Sequence, residues 1–329
     1  MTLRVVFIGA GGRGRGWIDK VADREGFEAA AIVDPAEAAH EIAAEKYPHL
    51  PVFSTVEEAS AAVKADVAIN SAISWTRKET CLAALDAGWH LLVEKPFALS
   101  LAEARAIVDA GEKAGKVVSA AQNYRFIPEV ATMQRRVAEG GLGELGHGVF
   151  VRHRKRYGAA TYQQHMPHNY LWEMGVHDLD LIRFTLCSRP LKVSGASFLP
   201  PWGDFSGETS VSAAYEFENG VRVSYFGAWA SHVPEFHWRI DGSGGSLQYG
   251  DGLKFGSPED MQWRTMENLD ATTGDFALLD ELAEAIRTGG RTSTSGEDNL
   301  WTVAMMEAVV MSTQANGGQI SIADLVEGG

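Results

Sequence analysis

Only two cysteines occur among the 329 residues, Cys81 and Cys187, far apart and in no Cys-x-x-Cys pattern. That excludes a disulfide framework and a thiolate zinc site, and it suits a reducing compartment. Positive charge is also scarce: 29 Lys and Arg stand against 43 Asp and Glu, a net charge of −14 with His neutral. A field of that sign repels phosphate backbones and anionic membrane surfaces, so neither nucleic acid nor membrane is an expected partner. Long apolar runs are missing too. They are strand-sized pieces such as Asp66-Val-Ala-Ile-Asn70, far short of the ~20 residues a membrane helix needs. A strand begins within the first few residues, which leaves no secretory leader to expect and makes the cytoplasm the expected location. Repeats, low-complexity stretches and long linkers are absent. What is present is ordinary globular composition, 45% hydrophobic and 22% charged, at a length that suits two domains. Such a chain buries a core without disulfide or metal.

The first third alternates short apolar strands with helices. Strand-like runs lie at 4–8, 28–33, 66–71, 89–93 and 116–120. Ser54 with Glu57, and Ser100 with Glu103, have capping-box spacing, and Gly88 and Gly115 sit where helices should end. Near-continuous apolar strands alternating with helices predict a parallel sheet covered on both faces. After Asn123 the pattern changes. A strand is expected at 147–156, a helix at 171–186, and a hairpin of 209–217 with 221–229 around Glu218-Asn219-Gly220. Further strands follow at 236–240 and 246–249, then helices at 275–287 and 297–314. Alternation in the hairpin predicts a mainly antiparallel sheet with one buried face.

Three places carry residues suited to chemistry. Gly9-Ala-Gly11-Gly12-Arg13-Gly14 fits Gly-x-Gly-x-x-Gly directly after the first strand and before a helix. Glycines there permit the turn, let backbone approach a pyrophosphate and let the helix pack closely, with its N-terminus facing the phosphates. A purely structural strand–helix turn is the alternative. Asp34 follows twenty residues after Gly14 at the end of the second strand, where a carboxylate accepts both hydroxyls of an adenosine ribose. No Gly-Lys-Ser/Thr follows, which argues against a P-loop. No arginine beside Asp34 is placed for a 2′-phosphate, favouring NAD over NADP, although Arg13 or Arg15 could reach the same region.

Glu94-Lys95-Pro96 ends a predicted parallel strand, where open α/β sheets place ligands. Lys95 there can hold a substrate oxygen as negative charge develops; from position alone, a surface lysine before a helix-starting proline stays open. The third place is 171–182, in which Glu173 and His177 are four apart on one predicted helical face, with Asp180 three further on. A carboxylate beside an imidazole raises its basicity and fixes its orientation, as a general base requires. A solvated polar face, or a metal held with His165 and His168, are the alternatives, but no zinc helix signature is matched and no metal is expected. The basic run Arg152-His-Arg-Lys-Arg156 is split between two strand faces; it reads as a solvated edge, with Arg154 or Arg156 the candidates for a pocket. Trp202, Trp229 and Trp238 read as core or subunit interface. Tyr124 and Arg125, at the crossover between domains, either line the cleft or brace the junction.

Taken in order, the glycine motif, Asp34, Ala-Gly-x-His-x-x-x-Glu-Lys-Pro at 87–96, Asn123-Tyr-Arg125 with Pro128, and Gly175-x-His177-x-x-Asp180 resemble the glucose–fructose oxidoreductase / inositol dehydrogenase (Gfo/Idh/MocA) family. The resemblance spans nearly the whole chain. It implies that Lys95 contacts substrate and nicotinamide ribose, that His177 is the general base, that Glu173 stands where an Asp usually completes the site, and that Asn123 lies near the cofactor. On this reading the cofactor contacts are Gly9, Gly11, Gly12, Arg13, Gly14, Asp34, Ser71, Ala72, Trp75, Glu94, Lys95 and Asn123, and the substrate contacts include Tyr124, Arg125 and His168. Departures occur at Ala72-Ile73, where the family carries Thr-Pro, at Arg77, where it carries His, and at Glu173.

The expectations are therefore concrete. A doubly wound dinucleotide domain over 1–123 should precede an α+β domain with a large, mostly antiparallel sheet over 124–329. The activity should be NAD-dependent oxidation of a secondary hydroxyl on a sugar, polyol or sugar derivative. A glycosidase or epimerase using bound NAD for transient oxidation, and a non-catalytic sugar or dinucleotide sensor, are the rivals. One face of the second sheet, including the aromatic strand around Phe236 and Trp238, should be left for a homodimer or homotetramer.

Overall fold

A computed structural model describes residues 2–155, 162–269 and 272–328; Arg156 lies outside the described residues. The chain forms two compact units, residues 1–123 with 273–300, and residues 124–272 with 301–329. In the first, β1 (Leu3–Ile8), α1 (Gly12–Ala22), β2 (Phe27–Val33), α2 (Glu37–Lys46), β3 (Val52–Phe53), α3 (Val56–Ala62), β4 (Val67–Asn70), α4 (Arg77–Asp86), β5 (His90–Val93), α5 (Leu101–Ala114) and β6 (Val118–Ala120) alternate. The strands are all parallel in the order β3-β2-β1-β4-β5-β6. Val5, Val6, Phe7, Ala68, Leu91 and Leu92 are fully buried, because a parallel sheet has helices on both faces and no side of a central strand meets water. The strand order reverses between β1 and β4, the place beyond whose carboxyl ends open α/β sheets bind ligands. Ser100 caps α5, accepting from the Glu103 N–H at 3.2 Å, and Gly115 ends it at φ 64°. The cap of α3 is one residue later than expected: Thr55, not Ser54, accepts from the Glu58 N–H, and the Glu58 carboxylate reaches back to the Ser54 N–H.

The remaining elements are α6 (Pro128–Ala138), β7 (Leu145–Lys155), a π-helical turn at Leu171–Gly175, α7 (Val176–Leu186), β8 (Pro190–Phe198), β9 (Ser210–Phe217), β10 (Arg222–Ala228), β11 (Ala230–Gly242), β12 (Gly245–Gly250), β13 (Gly252–Gly256), β14 (Trp263–Thr265), α8 (Gly274–Thr288), α9 (Gly296–Gln314), β15 (Ile320–Ser321) and α10 (Ile322–Glu327). The second unit is built on a nine-stranded sheet, β14-β13-β12-β11-β7-β10-β9-β8-β15, in which only β7 and β10 run parallel. Its inner face carries Val211, Ala213, Tyr215 and Phe217 of β9 with Val223 and Tyr225 of β10, all buried. Hydrogen bonds tie that face to helices: Trp238 Nε1 donates to Thr185 Oγ1 of α7 and the Tyr215 hydroxyl to the Met305 carbonyl of α9.

Two expectations need correction. Residues 273–300 belong to the first unit, not the second. The reason is the edge of the parallel sheet: β6 has a free side, and 292–295 covers it, with the Ala120 N–H on the Thr294 carbonyl and the Ser119 and Thr294 hydroxyls bonded at 2.9 Å. An uncovered strand edge invites pairing with another chain. The aromatic strand of β11 also points the other way. Trp238 is 0% exposed beneath α7, so the outer face is made instead of Ser194, Ala196, Ser212, Ala214, Ser224 and Phe226, around an open depression of 650 Å³.

Candidate active site

In the first unit the glycines of the 9–14 turn divide into two kinds. Gly9 has φ 91°, and a Cβ there would stand 2.8 Å from the Ala72 nitrogen; a Cβ on Gly14 would stand 1.8 Å from the Gly9 carbonyl. Those two glycines serve the fold. Gly11 and Gly12 have nothing within 4 Å of where a Cβ would lie. Gly12 opens α1, whose first turn receives no side-chain cap, which leaves backbone N–H groups at a helix N-terminus, the arrangement suited to an anion such as a pyrophosphate. Asp34 stands at the end of β2 with its carboxylate ordered by the N–H groups of Ala10 at 2.7 Å and Ala36 at 3.0 Å. Arg15 donates to the Ala10 carbonyl.

Arg13 does not extend toward Asp34. Its Nε donates to Glu94, and its two Nη groups grip both oxygens of Asp275 at 2.8 and 2.9 Å. Asn123 Nδ2 donates to the same Asp275 at 3.0 Å, and Lys20 lies 3.4 Å away. Burial alone would raise the Asp275 pKa, but the Arg13 hydrogen bonds and the charges of Arg13 and Lys20 hold it below the ordinary carboxylate range. Glu94 is buried, accepting from Trp17 Nε1 at 2.8 Å and from the Lys95 N–H at 3.1 Å. Of the residues expected at the cofactor, Arg13 and Asn123 thus meet on Asp275, which sequence reasoning missed, and Glu94 joins them through Arg13. Arg77 is buried and donates to the carbonyls of Pro96 and Ala72, stapling the ends of β4 and β5. Trp75 is half exposed in a short turn after Ser71 and Ala72.

In the second unit His177 and Glu173 are both buried, at 7% and 6% exposure. The expected continuous helix is instead a π-helical turn running into α7, so Glu173 and His177 do not share a regular α-helical register. Such turns occur frequently at functional sites. The Tyr124 ring stacks on the His177 imidazole with centroids 4.1 Å apart and planes 13° apart. Arg125, expected at the substrate, is a brace: it is 3% exposed and grips both oxygens of Asp180 at 2.7 and 2.5 Å. Asp180 also accepts from Thr302 at 2.9 Å and from Arg183 at 3.4 Å, which turns it away from an acid–base role. His168, at φ 49°, donates its N–H to Glu208 and places its ring 3.5 Å from that carboxylate; His165 bonds Ser206. Arg154 is exposed. The buried residue of the basic run is Arg152, 7% exposed, with Nε on Asp178 at 2.5 Å. Strand alternation was the signal that could have found it, had the face of the strand been known.

Family models match both parts of the chain. The model described as "Oxidoreductase family, NAD-binding Rossmann fold" matches residues 3–122, and the GFO/IDH/MocA C-terminal domain matches residues 130–248. A 1,5-anhydro-D-fructose reductase of Ensifer adhaerens is 28% identical over 267 residues, 78% of this chain and 80% of that one. An inositol 2-dehydrogenase of Corynebacterium glutamicum is 30% identical over 227 residues, 68% and 66% of the two chains. The crystal structure of an oxidoreductase from Agrobacterium radiobacter in complex with NAD+, L-tartaric acid and magnesium has the same fold, with a TM-score of 0.87 at 22% identity over 99% of this chain and 100% of that one. No helix among the described residues is long and apolar enough to cross a membrane. With both of its domains matched, the chain belongs to the GFO/IDH/MocA family of oxidoreductases.

Proposed function

We propose that the protein is an NAD-dependent dehydrogenase that oxidises a secondary hydroxyl of a sugar, polyol or sugar derivative. The observation that carries the reading is the presence of both chemical groups the reaction needs, Lys95 after β5 and a buried His177 against Tyr124. A sensor on the same fold requires no base. NAD, when bound, supplies the hydride acceptor. Gly11 and Gly12 present backbone to the pyrophosphate, and Asp34 takes the ribose hydroxyls. His177 removes the hydroxyl proton, Lys95 stabilises the alkoxide as it forms, and Glu173 orients the base or binds a neighbouring hydroxyl. Tyr124 holds the imidazole plane from one side. Preference for NAD over NADP is supported by Arg13 and Arg15, which are engaged with Asp275, Glu94 and the Ala10 carbonyl. The test is a panel of sugars, inositols and sugar acids, read as net NADH formation. Oxidation with no net NADH would point to the transient-oxidation chemistry of a glycosidase or epimerase and overturn the reading.

The uncovered outer face of the nine-stranded sheet supports a homodimer or homotetramer joined through it. Its centre is small and hydroxylated, while Phe198, Leu199, Trp202 and Val233 expose apolar surface around a second depression of 500 Å³. Clustered apolar exposure of this kind marks interfaces. Light scattering should give twice or four times the 35.6 kDa chain mass, and a monomer at micromolar concentration would overturn the assignment.

A further inference from the structure

Two arginines of the second unit look alike in sequence and differ in how they are held. Arg125 meets Asp180 end-on, with nitrogens on both carboxylate oxygens. Arg152 meets Asp178 through Nε alone. The rest of the Asp178 carboxylate is taken by two phenols, Tyr170 at 2.7 Å and Tyr225 at 3.0 Å, both donating to Oδ2. Among the described residues no acceptor meets either Nη group of Arg152. The guanidinium is nevertheless almost entirely enclosed, lying 4.2 Å from the Phe236 ring centroid, 5.5 Å from Phe150 and 6.0 Å from Tyr124. Burial works against its charge, yet the Asp178 carboxylate more than offsets this and keeps the pKa above the ordinary value. The outer donors face no protein acceptor and are not among the buried unpartnered atoms, so the fork is held from behind by Asp178 and stays open to oxygens that a ligand brings. Its position decides which ligand that is. Tyr124 is the ring that stacks on His177, so one aromatic side chain separates the open fork from the candidate base.

We propose that Arg152 is a substrate-recognition residue whose two Nη groups bind a carboxylate on the substrate, which makes sugar acids, aldonic or uronic, the preferred substrate class. The planar fork offers two parallel N–H bonds, and a carboxylate presents two coplanar oxygens at matching spacing; charge assistance roughly doubles the strength of each bond over that to a neutral hydroxyl. Phe236 and Phe150 flank the guanidinium and lower the polarity around it, which strengthens the pairing. The assignment depends on the dehydrogenase reading for what happens to the bound molecule, but not for which molecule is bound.

Isothermal titration of the NADH-loaded protein separates the two questions. D-glucuronate, D-galacturonate and D-gluconate are compared with D-glucose, D-galactose and D-glucitol. At least one acid should bind tenfold or more tightly than its neutral counterpart. Arg152→Lys, which keeps the charge and loses the fork, should erase that preference. Because a lone Asp178 could destabilise other variants, Arg152→Met with Asp178→Asn removes both charges together, and a thermal melt confirms folding; it should erase the preference as well. The proposal is overturned if no acid binds more tightly than its neutral partner, or if a folded variant keeps the parental preference. NADH formation is read separately: an acid that binds through Arg152 but is never oxidised overturns the dehydrogenase reading alone, whereas oxidation of neutral sugars with no acid preference overturns the Arg152 assignment alone.

Discussion

The two units prepare for ligands with different materials. In the first, the surface that would meet a dinucleotide is backbone: Gly11 and Gly12 expose main chain at the start of α1, and one short side chain, Asp34, completes it. In the second, the chemistry proposed above would be carried by side chains from separate elements: Tyr124, Arg152 on β7, Glu173 on the π turn, and His177 on α7. A backbone site needs particular glycines at fixed spacing and tolerates little change in them. A side-chain site can be retuned one residue at a time, which is how one fold serves many substrates.

The sharpest way to break this contrast is to remove the side-chain chemistry and ask whether the backbone site notices. His177→Ala should lower kcat/KM by about 10² or more, the usual range for loss of a general base. NADH affinity, followed by fluorescence titration, should stay near the parental value. Lys95→Ala should lower kcat/KM by a similar factor through loss of charge stabilisation. A variant that turns over at close to the parental rate would remove that residue from the mechanism.

The glycines themselves allow a second separation. Gly14→Ala forces a methyl against the Gly9 carbonyl, 1.8 Å from the Cβ position, and should destabilise the first unit by about 1–3 kcal/mol, as overpacking does. Gly12→Ala meets nothing within 4 Å; it should melt with the parent and yet weaken NAD binding about tenfold, since the methyl occupies the approach of the phosphates. Equal melting of both variants would mean that the turn is not packed as described. Weaker but still measurable, Asp34→Ala should narrow or reverse the preference for NAD over NADP, which a comparison of the two dissociation constants reads directly. Equal or better NADP affinity in the parent protein would sink the assignment of Asp34.

The contrast also explains what could be read before the fold was known. The parallel sheet, the glycine turn, the hairpin at 209–229 and the Ser100 cap all follow from local pattern, because each is decided by residues within a few positions of one another. His177 and Lys95 are proposed from motifs of the same short range, and the variants above test them. The networks were not. Asp275 meets Arg13 across 262 residues and Arg152 meets Asp178 across 26, and neither pairing leaves a periodic signature. The π turn escaped because its sequence has ordinary helical composition, and only tertiary packing sets the wider turn. The face of β11 was misassigned because alternation tells which residues share a side and not which side is covered. Position at the crossover leaves Arg125 open between cleft and brace, because the partner that decides it, Asp180, lies 55 residues on.

Asp275 offers the finest test, since it joins the side-chain and backbone styles within the first unit. Its carboxylate fixes Arg13, which lies inside the glycine turn, and Asn123, so Asp275→Asn should loosen both and raise KM for NAD a few-fold with kcat nearly unchanged. It should also reduce stability at neutral pH by about 1 kcal/mol, a modest value because Arg13 is partly exposed and its pairing is screened. The pH dependence follows from the direction of the shift. The folded pKa of Asp275 is lowered, so its contribution is fully present above the unfolded value, near pH 4, and is lost as pH falls through the folded value. Parent and Asp275→Asn should therefore differ by a constant amount from pH 6 to 8 and converge as the solution is acidified below about 4, as chemical denaturation at each pH would show. Asp275→Glu, which keeps the charge, should recover much of both effects. If the asparagine variant bound NAD as the parent does and kept the same acid limb, the link between Asp275 and the glycine turn would be structural decoration without consequence for the cofactor.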